Sequence, residues 1–334
     1  MLSKKIAVLA LMILLLPKAK AQQDVQFSQY VFSGLSVNPA YAGYKGDLYL
    51  NTIYRQQWSG FPGAPQTGGV SLDGLTHARD ERMGVGGQVM WDKLGPQEAV
   101  SIYGNYAYRI PLDDEGTRRL CLGIAFGATQ YSIDGTKIQY IDGNDPNIPT
   151  GKVSTLVPDA RFGVYYYTPK FYAGASLLDM FSLNMERRLY FSGNHQFTTF
   201  KKTAHLYLTA GWLLDISDNV KLKPSVMVKE DFKAPTNTDI NIFLLLANRL
   251  WIGGSYRTGV KLWKKEAVQP GLELKNAGSA ILEFYATERL RLGYSYDFAT
   301  NGLAGYQGGT HEISIGLTFP DKRSRERVIG PRYF

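Results

Sequence analysis

Cysteine is nearly absent: Cys121 stands alone in the chain, so no intramolecular disulfide can form and stability has to come from packing and hydrogen bonding. Long apolar runs are equally scarce. Beyond the first twenty residues no window approaches the ~18 consecutive apolar residues of a spanning helix, which excludes a helical membrane protein. Histidine is rare as well. His77, His195, His205 and His311 show no ligand spacing to one another or to the cysteine, so neither a metal centre nor Ser-His chemistry can be assembled. No catalytic residue and no cofactor are expected. The net charge of +8 has no concentrated patch outside the two ends of the chain. Nucleic acid is therefore not an expected partner, and lipid head groups or a periplasmic protein suit such charge better.

What is present begins with Lys4 and Lys5, an apolar run from Ile6 to Leu16, a breaker at Pro17 and then Ala19-Lys20-Ala21. That order is a secretory signal peptide over 1–21, too short to span as a helix, with cleavage expected after Ala21. No cysteine follows the cleavage position, so Gln22 is expected as a free, unacylated N-terminus.

Tyrosine (22) and glycine (35) are abundant, and from Asp47 onward the sequence alternates with period two, as a strand with one apolar and one wetted face requires. Ile313, Ile315, Leu317 and Phe319, for example, alternate with Ser314, Gly316 and Thr318. The pattern predicts strands at 47–58, 66–76, 82–93, 98–110, 119–131, 156–167, 171–180, 203–214, 220–230, 238–247, 250–259, 278–286, 289–298 and 309–319, about fourteen in all. Pro224 marks an expected bulge. Short turns, such as 168–170, 215–219, 247–249 and 286–288, alternate with long polar segments at 132–155, 181–202, 260–277 and 299–308. Two further connections on the long side, 59–65 and 94–97, are compact. With both termini periplasmic, every long loop falls on one side. This segregation points to an all-β fold, a transmembrane antiparallel β-barrel of the outer membrane over 47–319. Fourteen strands enclose a lumen that wall side chains alone cannot fill.

Three local clusters have plain readings. Gly84, Gly86 and Gly87 lie inside a strand pattern with no helix after them, and read as small residues at a crowded position rather than a phosphate loop. Asp142, Asn144, Asp145 and Asn147 around Pro146 are turn formers first and a weak calcium site second. The basic tail at 320–334, with Lys322, Arg323, Arg325, Arg327 and Arg332, is either a solubilising end or a dock for an acidic periplasmic partner or lipid.

Two segments are too aromatic for ordinary linkers. Gln26 to Gly43 reads QFSQYVFSGLSVNPAYAG, and its Phe27, Tyr30, Phe32 and Tyr41 favour packing into the lumen or against the rim over a free periplasmic tail. The whole of 22–46 is taken as this periplasmic or lumen-packing segment. Tyr54 to Pro65 reads YRQQWSGFPGAP, where Trp58 and Phe61 serve as interfacial girdle residues or as a docking knob.

FSQYVF followed by NPAYAG, then YRQQWSGFPGAPQT, then LGYSYDF ahead of GTHEISIGLTF, resembles the PorP/SprF family of type IX secretion outer-membrane proteins. Asn38, Pro39, Ala40, Gly43, Arg55, Trp58, Phe61, Gly63 and Pro65 lie on its recurrent positions; Ser59 after Trp58 is a minor departure. The resemblance implies a barrel working with the type IX machinery, without catalytic residues. Some members resemble a core component linked to the periplasmic ring. Others pair with large secreted adhesins carrying a C-terminal sorting domain, gliding adhesins among them, and are needed for their export or surface attachment. The expected function is thus to bind, export or anchor such a client. A porin-like small-solute channel is the alternative, since the inward positions neither demand nor forbid conduction.

Overall fold

A computed structural model of the chain describes residues 26–76, 81–138, 151–183, 189–190, 196–197, 203–262, 265, 274–302 and 304–320. The signal peptide, the 142–147 cluster and the basic tail with Lys322, Arg323, Arg325, Arg327 and Arg332 lie outside the described residues, as do His77 and His195.

The wall strands are β1 Leu48–Gln56, β2 Gln66–Leu75, β3 Met83–Leu94, β4 Gln97–Pro111, β5 Arg119–Asp134, β6 Lys152–Tyr167 and β7 Phe171–Leu178. Next come β8, His205–Trp212 continued by Leu214–Ser217, then β9 Val220–Glu230, β10 Thr236–Leu246, β11 Leu250–Val260, β12 Lys275–Tyr285, β13 Leu290–Ala299 and β14 Thr310–Phe319. Each pairs antiparallel with its sequence neighbour, and β1 pairs with β14 from Leu48↔Phe319 to Gln56↔His311, closing a fourteen-stranded barrel. Closure leaves no free sheet edge, the condition for a sheet to sit in lipid. A two-residue ladder joins Leu189–Tyr190 to Gln196–Phe197 apart from the wall.

Two local departures from the sequence expectation have physical causes. Strands β4 to β6 run past their expected ends and take up both flanks of the 132–155 segment, because Ser132, Ile133, Val153 and Thr155 tolerate extended backbone and pair as Ser132↔Ser154 and Gln97↔Ile133. At Pro224 the strand that carries the proline stays continuous against β10, and its neighbour β8 is the one that breaks, at Leu213. A proline offers no N–H to a second neighbour, so the ladder to β8 skips Lys223 and Pro224 and resumes at Leu222↔Leu214.

The polarity of a soluble protein is reversed. In β4, Asn105 and Arg109 are buried and point inward, whereas Ile102, Tyr106 and Tyr108 are exposed. Across the wall Val89, Ile124, Phe126, Ile240, Ile242, Ile252, Leu282, Leu292, Ile313 and Ile315 form the outer apolar belt, while Arg55, Asp239, Arg257, Glu283, Arg291, Asp297 and Glu312 are sealed inside. Such an apolar exterior is the face a barrel shows to hydrocarbon. Replacing Ile242, 57% exposed on this belt, by arginine is expected to cost about 2–4 kcal/mol of folding free energy in lipid vesicles, with I242L near neutral. Equal stabilities of the two variants in a denaturant titration would place this face outside lipid.

The lumen is filled by residues 26–46, which form a strap of three short 3-10 turns, Ser28–Phe32, Gly34–Ser36 and Pro39–Tyr41. Gln26 donates to Asp239 (3.2 Å), close to the long-connection end of β10. Tyr44 packs on Tyr167, the last residue of β6 before the short turn to β7. The strap thus runs the length of the barrel and turns into β1. Gln26, the first described residue, lies toward the long-connection end.

Candidate functional site

The strap is seated on a belt of small residues that crosses five strands in register. Gly84 pairs with Ala107, Ala107 with Gly123, Gly123 with Gly163 and Gly163 with Ser176. Over this belt the NPAYAG stretch runs across the strands. Val37 offers its carbonyl to the Ser176 hydroxyl, the Asn38 side chain lies on Gly163, the backbone of Ala40 on Gly123 and the carbonyl of Ala42 on Gly84. A Cβ at any of these three glycines would overlap the strap.

Each residue of the motif has a task. Asn38 accepts from the Ala40 amide (2.9 Å), capping the turn that Pro39 opens, and donates to the Val164 carbonyl (3.0 Å). Gly43 has φ +74 and gives its amide to the buried Asp73 carboxylate (2.8 Å), a left-handed position that a side chain would strain. Tyr41 and Tyr44 then join Tyr165 and Tyr167 in an aromatic cluster, with Tyr41 and Tyr44 centroids 4.8 Å apart.

Higher in the lumen the strap is held by charge. The Glu312 carboxylate accepts the amides of Ser28 (3.0 Å) and Gln29 (2.8 Å), and Arg55 bridges Glu312 (2.9 Å) to Asp297 (2.7 Å). Ser28 donates its hydroxyl to Asp297 (2.7 Å) and accepts from Arg55 (3.1 Å). Arg257 forks onto Asp239 beside Gln26, and Arg291 ties Glu283 to Asn51, whose amide reaches Ser33 (2.9 Å). Between the two zones, Asn241 donates to the Tyr30 hydroxyl (2.7 Å), and Phe32 packs edge-on against Phe243 and Trp251 beneath the ammonium of Lys223. Phe27 is buried as well.

Trp58, Phe61, Gly63 and Pro65 form a separate group on the β1–β2 connection. The Ser59 amide bonds the Gly309 carbonyl (2.8 Å), the Gly95 amide bonds that of Gly63 (3.1 Å), and Gln57 donates to Pro65 (2.9 Å), so three connections are stitched into one rim. Trp58 sits at φ +46 with its amide toward the Thr310 hydroxyl, and Phe61 is exposed. Inside the rim lies a cavity of about 370 Å³, lined among others by Gln26, Trp58, Asp92, Arg257, Asp297 and Gln307. Arg55 and Asp297 of the charged group and Gln26 at the start of the strap belong to its lining. The motif positions therefore divide: Phe27, Tyr30, Asn38, Pro39, Ala40, Gly43 and Arg55 fasten the strap, and Trp58, Phe61, Gly63 and Pro65 shape the mouth.

Sequence reasoning missed the receiving surfaces, namely the small-residue belt and the inward acids Asp73, Asp239, Asp297 and Glu312. Glycines at inward positions of neighbouring strands were the available signal. Among the described residues no group of three His, Cys, Asp or Glu side chains is placed to hold a metal ion. His205 faces Asp179 (3.5 Å) and His311 contacts the Tyr294 hydroxyl (2.8 Å).

The family model for the type IX secretion system membrane protein PorP/SprF matches residues 19–317. The chain belongs to the PorP/SprF family. A search of curated proteins gives no match. The fold is similar to two solved barrels. One is the toluene transporter TbuX of Ralstonia pickettii, with a TM-score of 0.52 at 10% identity over 86% of this chain and 94% of that one. The other is the monoaromatic hydrocarbon channel CymD, with a TM-score of 0.51 at 11% identity over 88% and 94%. At such identity the likeness establishes architecture alone. The PorP/SprF match and the inverted polarity of the closed barrel together place the protein in the outer membrane as a component of the type IX system. Family and fold speak for secretion or transport rather than an enzyme.

Proposed function

We propose that this PorP/SprF protein binds a secreted client bearing a C-terminal sorting domain at its long-loop mouth, helping its export or anchoring it at the surface. The observation that carries the reading is the strap, which fills the lumen and turns the mouth into a blind vestibule rimmed by Trp58 and Phe61. Long connections face outward in barrels of this kind, so the vestibule would meet a protein that has already crossed the membrane. Exposed aromatics on a stitched rim suit the anchoring contacts of a protein interface. A porin-like channel fits less well, because the strap occupies the path a solute would take.

The test is to affinity-purify the tagged protein from gently solubilised outer membranes of its host, alongside the W58A/F61A double variant. A large protein ending in a sorting domain is expected with the wild type and is expected to fall at least about tenfold with the variant, the scale of a single interface hot spot. Recovery of periplasmic ring components instead would move the protein to the core machine, and solute uptake lost with secretion intact would revive the channel.

A further inference from the structure

The vestibule is walled by charge as well as by its aromatic rim. Two cationic side chains stand in the lining, Arg55 and Arg257, and both are already turned onto carboxylates, Arg55 onto Asp297 and Glu312 and Arg257 onto Asp239. Three buried acids thus answer two guanidiniums, and Asp92 on β3 adds a further carboxylate to the lining. Asp297 is 4% exposed, and its Oδ2 accepts from Ser28 and Arg55 (both 2.7 Å). Its Oδ1 has no hydrogen-bond partner among the described residues, and neither has the side-chain oxygen of Gln307, which lines the same cavity. A buried acceptor without a donor costs free energy, so this wall is short of both a donor and a positive charge.

We propose that the vestibule receives a basic side chain, a lysine or arginine presented by the secreted client, with Asp297 as its principal acceptor. This rests on the reading that the mouth holds such a client. An anion fits poorly, because both guanidiniums are spent on Asp297, Glu312 and Asp239 and the surplus charge is negative. A bare metal ion fits poorly too: among the described residues no group of three His, Cys, Asp or Glu side chains is placed to hold one. The space of about 370 Å³ matches instead the lower end of sites that take small organic groups. Trp58, which lines the way in, offers a ring of the kind that attracts cations. An ammonium or guanidinium passing it reaches a carboxylate largely shielded from water, where a charge-assisted hydrogen bond is strong.

The test uses the purified full-length barrel in detergent and two probes of nearly one shape, N-acetyl-arginine amide and N-acetyl-citrulline amide, of which only the first is charged. Isothermal titration is expected to show the arginine probe binding at least about tenfold more tightly, the scale of one charge-assisted hydrogen bond. Ala299 lines the cavity on β13, the strand that carries Asp297. A299K is expected to abolish the preference by bringing its own ammonium to Asp297, and A299S to keep it. Heat-modifiable migration on gels confirms that each barrel has folded. Should A299K not fold, A277M closes the same space by bulk, since Ala277 also lines it. Equal binding of the two probes to the wild type, or a preference that survives A299K, overturns the inference. The same variants in the affinity purification separate it from the function on which it rests. A client recovered with the wild type and lost with A299K supports both. A client recovered equally with A299K, by a barrel that binds the two probes alike, leaves the function standing and overturns the inference. No client, with the arginine preference intact, overturns the function and leaves a cation site.

Discussion

Valine at Gly123 is expected to open the barrel. The new side chain would occupy the space of the Ala40 amide and Cα, backbone atoms that have no rotamer to move into. Overpacking of this kind costs about 1–3 kcal/mol when a core can yield. Here the yielding part is the strap, whose Asn38 and Pro39 seats adjoin the same spot. G123V should therefore form a closed wall with its strap displaced, measurable in planar bilayers as a steady conductance absent from the wild type. The control is Gly104 in the adjacent strand, where an added Cβ meets nothing within 4 Å. G104V is expected to be silent, because valine suits a strand and nothing occupies the space. A folded G123V barrel that conducts no more than G104V would show that the charged upper contacts hold the strap alone.

Removing the Arg55 guanidinium should be the most destabilising single change in the lumen. R55A leaves two carboxylates without their cation: Glu312, which is fully buried, and Asp297, 4% exposed at the edge of the vestibule. Breaking a buried pair from one side typically costs about 3–5 kcal/mol, mostly the penalty of the abandoned charge. The triple variant R55A/D297N/E312Q should recover part of that loss, since it buries no unpaired charge. Denaturant titration of the three proteins in detergent decides the matter. A triple variant less stable than R55A would assign the cost to lost packing around Ser28 and Gln29 instead.

The wall was legible from the sequence because a barrel strand declares itself locally. The alternation through Ile313, Ile315 and Leu317 sets inside and outside without knowledge of any partner. Burial of the strap was legible too, since Phe27, Tyr30, Phe32 and Tyr41 are costly to leave in water. Its path was not. The path depends on Gly84, Gly123 and Gly163 falling into one row, and that row exists only once three ladders have a register. The same holds for the ion pairs: Arg55 and Glu312 are 257 residues apart and meet only because β1 closes on β14. Trp58 and Phe61 stood out by composition, but the rim that carries them is held by backbone bonds to Gly309 and Gly95 that no local pattern encodes.

The strap touches β4, β5 and β6 through the Pro39–Tyr41 turn and β12, β13 and β14 through the Ser28–Phe32 turn, so it reaches from one side of the lumen to the other. A rod fixed at both walls is a ruler. Adding or losing a hairpin would change the barrel's circumference while the distance from Gly123 to Glu312 stayed bound to the same stretch of chain, and one of the two seats would come away. The strand number of this protein is therefore gauged from within, and a family member with a shorter or longer wall should carry a strap altered to match.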